Sequence, residues 1–456
     1  MRRLNNETYH AITGESRVPR KEKVLQFGEG GFLRAFVDEM FDQLNNAGLF
    51  DGGVTVVQPI ERGMVPVLNE QDGLYTLLLR GLEEGVPVSR ERVIRIIQRG
   101  VNPYTDYETY IASAQNPDLR FVVSNTTEAG IAYNGEDRLS DRPPKSFPGK
   151  VTAFLWERFT FFKGAKDKGL VFLPCELIDD NGAELRKIVL RLCAEWQLGP
   201  DFTRWVEESC IFTSTLVDRV VTGYPKDEAA AICERLGYED SMLDTGEVFH
   251  FWAIEGPECL AEELPFQKLG LNVLFAEDIS AYKRRKVRIL NGAHSSLTPV
   301  ALLCGLSTVG EVMEDADLRR YVERVLYEEV IPTLDLPRED LLSFAKAVLD
   351  RFANPYIHHQ LTSIALNSTS KWRVRVLPSV EAYLKEKGKL PPLLTFSFAA
   401  LLALMEEHRP DIEDCDNVQD LFAELASIPG FKDTVDADRE DIKREGCRAA
   451  LAKRLG

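Results

Sequence analysis

The sequence predicts an α/β protein in two parts: a doubly wound, dinucleotide-binding type of domain over residues 1–275 and a mainly α-helical domain over 276–456. Three observations lead there. Short runs that are apolar on both faces recur through the first half with helical patterns between them, as expected for a parallel sheet covered on both sides. A glycine-rich turn joins the first such run to an amphipathic helix, and from about residue 276 the β-branched runs give way to helical periodicity. At 456 residues the chain exceeds the size at which one hydrophobic core stops growing, which favours two domains.

The strand-like runs are KVLQF (23–27), VTVVQP (54–59), RFVVSNTT (120–127), LVFLPCELI (170–178) and CIFTSTLVDRVV (210–221). RAFVDEMFDQLNNAG is the clearest helix among them. The second part reads as helices at TVGEVMEDADLRRYVERVLYEEVI, REDLLSFAKAVLDRFA, SVEAYLKEKG, LLTFSFAALLALMEEH and DREDIKREGCRAALAKRLG. There is no internal repeat or low-complexity linker, so closely packed domains with a ligand cleft between them are expected.

Composition narrows the functional classes. A formal charge of -17 repels phosphate backbones and anionic membrane surfaces, so neither a nucleic-acid nor a membrane partner is expected. Cys175, Cys193, Cys210, Cys233, Cys259, Cys304, Cys415 and Cys447 contain no C-x-x-C pair, which points to reduced thiols and away from a disulfide framework or a zinc site. The polar N-terminus lacks a signal-peptide core. The most apolar stretch, PPLLTFSFAALLALMEEH, holds about 15 suitable residues where roughly 20 are needed to cross a bilayer. A soluble cytoplasmic protein is expected; oligomeric state has no sequence signal.

In KVLQFGEGGFLRAF a strand leads through Gly28-Glu29-Gly30-Gly31 into a helix. Glycines there permit a tight turn and close approach of a pyrophosphate, which the free N–H groups of a helix start then bind. The match to G-x-G-x-x-G is incomplete, because Leu33 stands at the third position. An ordinary strand-to-helix turn is the alternative. At the end of the second strand, where an acidic residue would bind the adenosine ribose, the chain has Gln58, followed by Glu61 and Arg62.

KVRILNGAHSSLTPVALL places Lys286, Asn291 and His294 beside an apolar stripe of Val287, Leu290, Ala293 and Leu297. On an α-helix Asn291 and His294 lie roughly 60° apart, and Lys286 and His294 roughly 80°. Hydride reduction of a carbonyl needs a proton donor and hydrogen bonds to the developing oxyanion, which a lysine of lowered pKa and two neutral polar groups supply without a metal. Lys283, Arg284, Arg285 and Arg288 offer the positive charge that lowers such a pKa. The competing readings are a solvated basic helix start with a core histidine, or a small nucleic-acid patch at KRRK.

K-x-R-x-x-N-G-x-H (Lys286, Arg288, Asn291, Gly292, His294) and FGEGGFLRAF together resemble the polyol-specific long-chain dehydrogenases, the mannitol dehydrogenase group. QDGLYT (71–76), NTTEAG (125–130) and TLVDRVV (215–221) extend the resemblance, which runs from about residue 20 to 410. PCELIDDNG (174–182), LNGAHSS and NPYIHHQLTSIALNSTSKWRVRVLP (354–378) are most similar to the branch acting on keto sugar acids. The resemblance implies a Rossmann-like domain and reversible, NAD-dependent reduction of D-tagaturonate to D-altronate. In that scheme Lys286 is the general acid and base, while Asn291 and His294 polarise the carbonyl. The implied cofactor set is Gln26, Phe27, Gly28, Glu29, Gly30, Gly31, Phe32, Leu33, Arg34, Gln58, Thr127 and Glu128. Fructuronate/mannonate or mannitol-type chemistry, or a non-catalytic dinucleotide-binding regulator, are the alternatives.

One position departs from the group. Where mannitol dehydrogenases carry C-D-N, this chain has Cys175-Glu176-Leu177, so the asparagine that helps hold the substrate oxygen is replaced. Either the contact is dispensed with or Asn181 supplies it. Fructuronate-reducing members keep C-D-N, so Leu177 favours tagaturonate. Asp218 and Arg219 border the substrate or form a structural ion pair. A sugar acid also requires a cationic clamp; Lys371, Arg373 and Arg375 are candidates, sharing one face if the segment is extended.

Overall fold

The computed structural model describes residues 1–127, 129–407 and 412–456. They form two compact units, the first of Met1–Arg80 and Ser89–Ile279, the second of Gly81–Val88 and Ser280–Gly456. In the first, β1 (Glu22–Phe27), β2 (Gly53–Val57), β3 (Ile97–Val101), β4 (Phe121–Ser124), β5 (Val171–Pro174) and β6 (Ile211–Phe212) make one six-stranded sheet. Its order is 3-2-1-4-5-6 and every neighbouring pair is parallel. This is the doubly wound arrangement in which strand order reverses beside β1, opening a crevice at the carboxyl ends.

Burial on both faces explains why these strands read as apolar runs. Phe27 packs edge-on against Tyr110 and Phe147. Phe121 meets Phe41 and Phe50. The helix after β1 is broken into α1 (Gly31–Ala35) and α2 (Val37–Asn46), because Phe36 leaves helical geometry at φ -124°, ψ -73°.

Two departures from the expected organisation concern strands. Residues 210–221 are not one strand: β6 ends at Phe212, and Ser214–Asp218 pairs antiparallel with Phe251–Glu255 in a separate three-stranded sheet completed by Val273–Ala276. The switch sits at Thr213, whose N–H and hydroxyl both donate to the Phe172 carbonyl (3.1 and 2.7 Å). A hairpin, Tyr75–Glu83 and Val86–Ile94, pairs with Asp244–Glu247 in a third sheet that the apolar runs do not announce.

The second unit is helical. A π-helical turn, Lys286–Asn291, runs into α3 (Gly292–Leu303); α4 (Ser368–Arg375) and α5 (Pro392–Glu406) pack on it. α5 is apolar on all sides and buried from Leu393 to Leu404, which makes it the centre of this unit's core. Trp372 of α4 is fully buried beside it, its indole N–H donating to Ser397 Oγ at 2.9 Å. Among the described residues no helix is long and apolar enough to cross a membrane.

Candidate active site

Gly28 has a φ of +123°, and a Cβ there would stand 3.0 Å from the Asn125 carbonyl, so the turn leaving β1 requires glycine. A Cβ on Gly31 would meet Asp244 Oδ1 at 3.0 Å, whereas at Gly30 the space is open. Glu29, Gly30, Gly31, Arg34, Met64, Tyr224, Lys226 and Met242 are among the residues lining a cavity of about 560 Å³ at this turn. Around it the predicted cofactor residues divide by role. Glu29, Gly30 and Gly31 face the opening, and Phe32, half-buried, stacks on Phe36 (5.1 Å). Gln26, Phe27 and Leu33 have buried side chains. Gln26 donates to the Gly28 carbonyl and to Asp38 (both 3.1 Å), holding the turn from beneath. Arg34 lines the cavity wall, yet its guanidinium is directed to the Glu29 and Met242 carbonyls and to Asp244.

Asp38 is the electrostatic weak point of this support. Fully buried, with its carboxyl pushed up to about 7 by desolvation and only partly relieved by Gln26 and Arg34, it holds a proton that the unfolded chain would release. Below pH 4 both states are protonated. Between about pH 4 and 7 the unfolded state ionises first, so stability falls as pH rises and levels off above. Asp38→Asn should therefore stabilise the protein by about 2 kcal/mol near pH 8, with the gain shrinking toward pH 4. Melting temperatures of both proteins across that range provide the check; a constant offset would contradict it.

The Gln58 amide is engaged within its own loop. Its Nε2 donates to the Ile60 and Glu61 carbonyls (2.9 and 3.0 Å) and its Oε1 accepts from Val65 N–H, so the side chain organises its own loop. Glu61 and Arg62 beyond it are exposed. Thr127, after β4, has a φ of +83°, a strained value for a β-branched residue and a mark of functional loops. Glu128 lies outside the described residues.

At the ends of β4 and β5, Glu176 accepts from Ser124 Oγ (3.0 Å), Thr126 N–H (3.0 Å) and Thr126 Oγ1 (2.9 Å), binding the two strands together. Leu177 is 61% exposed. The Asn181 amide is bonded to the backbone around it. Its Nδ2 donates to the Pro174, Glu176 and Thr215 carbonyls, and its Oδ1 accepts from Thr215 and Gly182 N–H. Asp218 and Arg219 are both buried. Arg219 serves the interior, donating to the Phe249, Ala35 and Val248 carbonyls with Glu39 3.6 Å away. Its ion-pair partner is thus Glu39.

In the helical unit the regular α-helix expected for KVRILNGAHSS is replaced by a π-turn. Gly292 N–H donates to the Val287 carbonyl, five residues back. In an α-helix Lys286 and Asn291 would be roughly 140° apart; closure over five residues brings them to the same side. Gly292 also lets this turn meet α4, since a Cβ there would lie 3.1 Å from the Arg375 carbonyl. Arg285, buried beneath, stacks over Phe344 (4.4 Å) and Tyr282 (5.1 Å).

His294 follows on α3. Its Nε2 is closed off from solvent with no hydrogen-bond partner. Its ring lies on Phe352 (4.3 Å) and edge-on to His359 (5.0 Å). Burial, reinforced by His359, Arg351, Arg375 and Lys371, holds the imidazole well below its usual pKa, so it is neutral at physiological pH. A neutral histidine with an unsatisfied nitrogen is suited to hydrogen-bonding a ligand oxygen.

The basic segment 371–375 is helical, which corrects the extended reading. Lys371 and Arg375, four apart, share one side of α4, whereas Arg373 is exposed and pairs bidentately with Glu424 (3.0 and 2.8 Å). Arg351 carries no sequence signal of its own, whereas His359 lies inside the segment NPYIHHQ. Tyr224 and Lys226 line the cavity without any local pattern in the sequence to mark them.

A parallel 3-2-1-4-5-6 sheet with a glycine turn at its reversal point is the architecture of dinucleotide-dependent oxidoreductases. Family comparison is more specific: the Mannitol dehydrogenase Rossmann domain matches residues 22–268, and the Mannitol dehydrogenase C-terminal domain matches 278–444. The chain belongs to the mannitol dehydrogenase family, oxidoreductases that act on CH–OH groups. It is 54% identical to an altronate oxidoreductase of Yersinia enterocolitica over 389 residues, 85% of this chain and 80% of that protein. It is 48% identical to one of Enterobacter sp. (strain 638) over 464 aligned positions, 94% and 96% of the two chains. Two solved structures share the fold. A substrate-free D-sorbitol dehydrogenase has a TM-score of 0.82 at 21% identity, covering 98% of this chain and 100% of that one. Pseudomonas fluorescens mannitol 2-dehydrogenase, in a ternary complex with NAD and D-mannitol, has a TM-score of 0.72 at 22% identity and covers 99% of each.

Proposed function

We propose that this protein interconverts D-tagaturonate and D-altronate with NAD as hydride carrier, without a metal, and with Lys286 as general acid and base. The π-turn carries the mechanistic half of this reading, because it turns Lys286 and Asn291 to one side immediately before the neutral His294. The high identity to altronate oxidoreductases supports the substrate.

The cofactor would be held by the glycine turn from Gly28 to Gly31, with Phe32 and the strained Thr127 beside it and Gln26, Phe27, Leu33 and Arg34 shaping it from behind. Bound NADH supplies the hydride. In the reduction the ammonium of Lys286 donates a proton to the oxygen as its charge grows, and in the reverse direction the free amine removes it. Asn291 donates an amide N–H to the same oxygen, and His294 supplies a second hydrogen bond from Nε2–H in that neutral tautomer. Arg285 is buried nearby, and Arg288, half-buried, is held below its usual pKa by burial and by Arg284.

Consumption of NADH, followed by its absorbance with D-tagaturonate, D-fructuronate and D-fructose, tests the reading, with NADPH as a parallel arm. The expected order of kcat/KM places tagaturonate first and NADH ahead of NADPH. Equal rates with fructose and tagaturonate would overturn the substrate assignment.

A further inference from the structure

We infer that Arg375 and Lys371, on one side of α4, form an anion subsite that selects the carboxylate of a sugar acid, and that Arg373 has no part in it. The inference rests on the sugar-acid reading above and names the residues that discriminate a uronate from a neutral ketose.

Arg375 is half-buried, and among the described residues its guanidinium makes no hydrogen bond or ion pair. A guanidinium withdrawn from water without a counter-charge is costly, and a carboxylate accepting two parallel N–H bonds removes that cost. Burial is the cause of the lowering of its pKa. Lys371, one turn earlier, donates to the Ile364 carbonyl at 2.9 Å and has further N–H groups to offer. Its pKa is lowered by burial and then by Arg375, showing two cations held near each other on one face; Asp414 opposes this. Asp414 is committed to the start of α4, where it accepts Thr369 N–H at 2.7 Å.

Both cations, like His359 and Arg351, help to hold down the pKa of His294, the histidine whose Nε2 lacks a partner. The 3.1 Å approach of the Arg375 carbonyl to the Gly292 Cβ position fixes the end of α4 against the start of α3, next to Asn291. One small molecule can therefore place its carbonyl at Asn291 and His294 and an anionic end on α4. A polyol, with a hydroxymethyl group there, leaves the guanidinium unsatisfied. Arg373 points elsewhere and already has Glu424.

The test compares kcat/KM for D-tagaturonate with that for D-tagatose, its neutral counterpart, together with competitive inhibition by a saturated aldonate, in Arg375→Leu, Arg375→Lys, Lys371→Met and Arg373→Leu. Arg375→Leu should lower kcat/KM for tagaturonate roughly 100-fold, chiefly through KM, and weaken aldonate inhibition to a similar degree, as expected for loss of a charge-assisted pair. Tagatose turnover and NADH affinity should stay within about twofold, Arg375→Lys should recover part of the loss, Lys371→Met should show a smaller loss of the same kind, and Arg373→Leu should match the parent. Unchanged tagaturonate kinetics and aldonate inhibition in Arg375→Leu would overturn the subsite, as would equal losses on both sugars. Melting curves identify any variant that fails to fold, in which case Arg375→Lys and Lys371→Met decide. Failure of the parent enzyme to prefer tagaturonate over tagatose would instead count against the proposed function.

Discussion

Lys286→Ala is expected to lower turnover roughly 10²- to 10⁴-fold while leaving NADH affinity nearly intact. The proton-transfer role requires a side chain that changes protonation near neutral pH at the oxygen, and within the π-turn Lys286–Asn291 that side chain is Lys286. Removing the amine leaves the hydrogen bonds from Asn291 and His294, so carbonyl polarisation persists and activity falls without vanishing. The glycine turn that would bind the dinucleotide belongs to the other unit and contains no lysine, so cofactor binding measured by NADH fluorescence should barely change. Partial recovery of turnover by added small primary amines would mark the loss as one of proton transfer. Near-normal turnover in the variant would remove Lys286 from the mechanism.

Why the nucleotide-binding sheet is legible in the sequence, and parts of the site are not, follows from burial. β1, β2, β4 and β5 are covered on both faces and therefore appear as uninterrupted apolar runs. β3 does not, because it is the edge strand and carries Gln98, Arg99 and Gly100 on partly exposed positions. The hairpin Tyr75–Glu83/Val86–Ile94 had a local signal in Glu84-Gly85, both at positive φ (53° and 78°), the two-residue turn that matches strand twist. A π-turn leaves no such trace, since one inserted register step does not disturb the apolar stripe that His294 borders. The basic face of 371–375 was misjudged because alternating charges suit a strand; burial of Trp372 against α5 holds the segment helical and separates Arg373 from its neighbours. The family resemblance singles out Lys286, Asn291 and His294 as candidates, and the three-dimensional arrangement adds which residues face an opening and which, such as Gln26 and Arg219, are buried.

Asn181 offers the sharpest test of that distinction. It was a possible replacement for the asparagine absent at Leu177, yet its amide bridges the end of β5, the Glu176 carbonyl and the first turn of the strand Ser214–Asp218. Asn181→Ala strands the Thr215 and Gly182 N–H groups in a buried setting and removes a donor from three carbonyls, of which that of Pro174 keeps a second donor in Thr215 Oγ1. Two or more unsatisfied buried groups at about 1–3 kcal/mol each, partly relieved by relaxation, predict a loss of about 3 kcal/mol. For a unit of this size that corresponds to a fall in Tm of about 6–12 °C. Turnover per folded molecule should change far less, because the residue reaches no opening. A variant that melts like the parent but loses tagaturonate affinity would instead place Asn181 on the substrate, as the substitute for the contact that Leu177 cannot make.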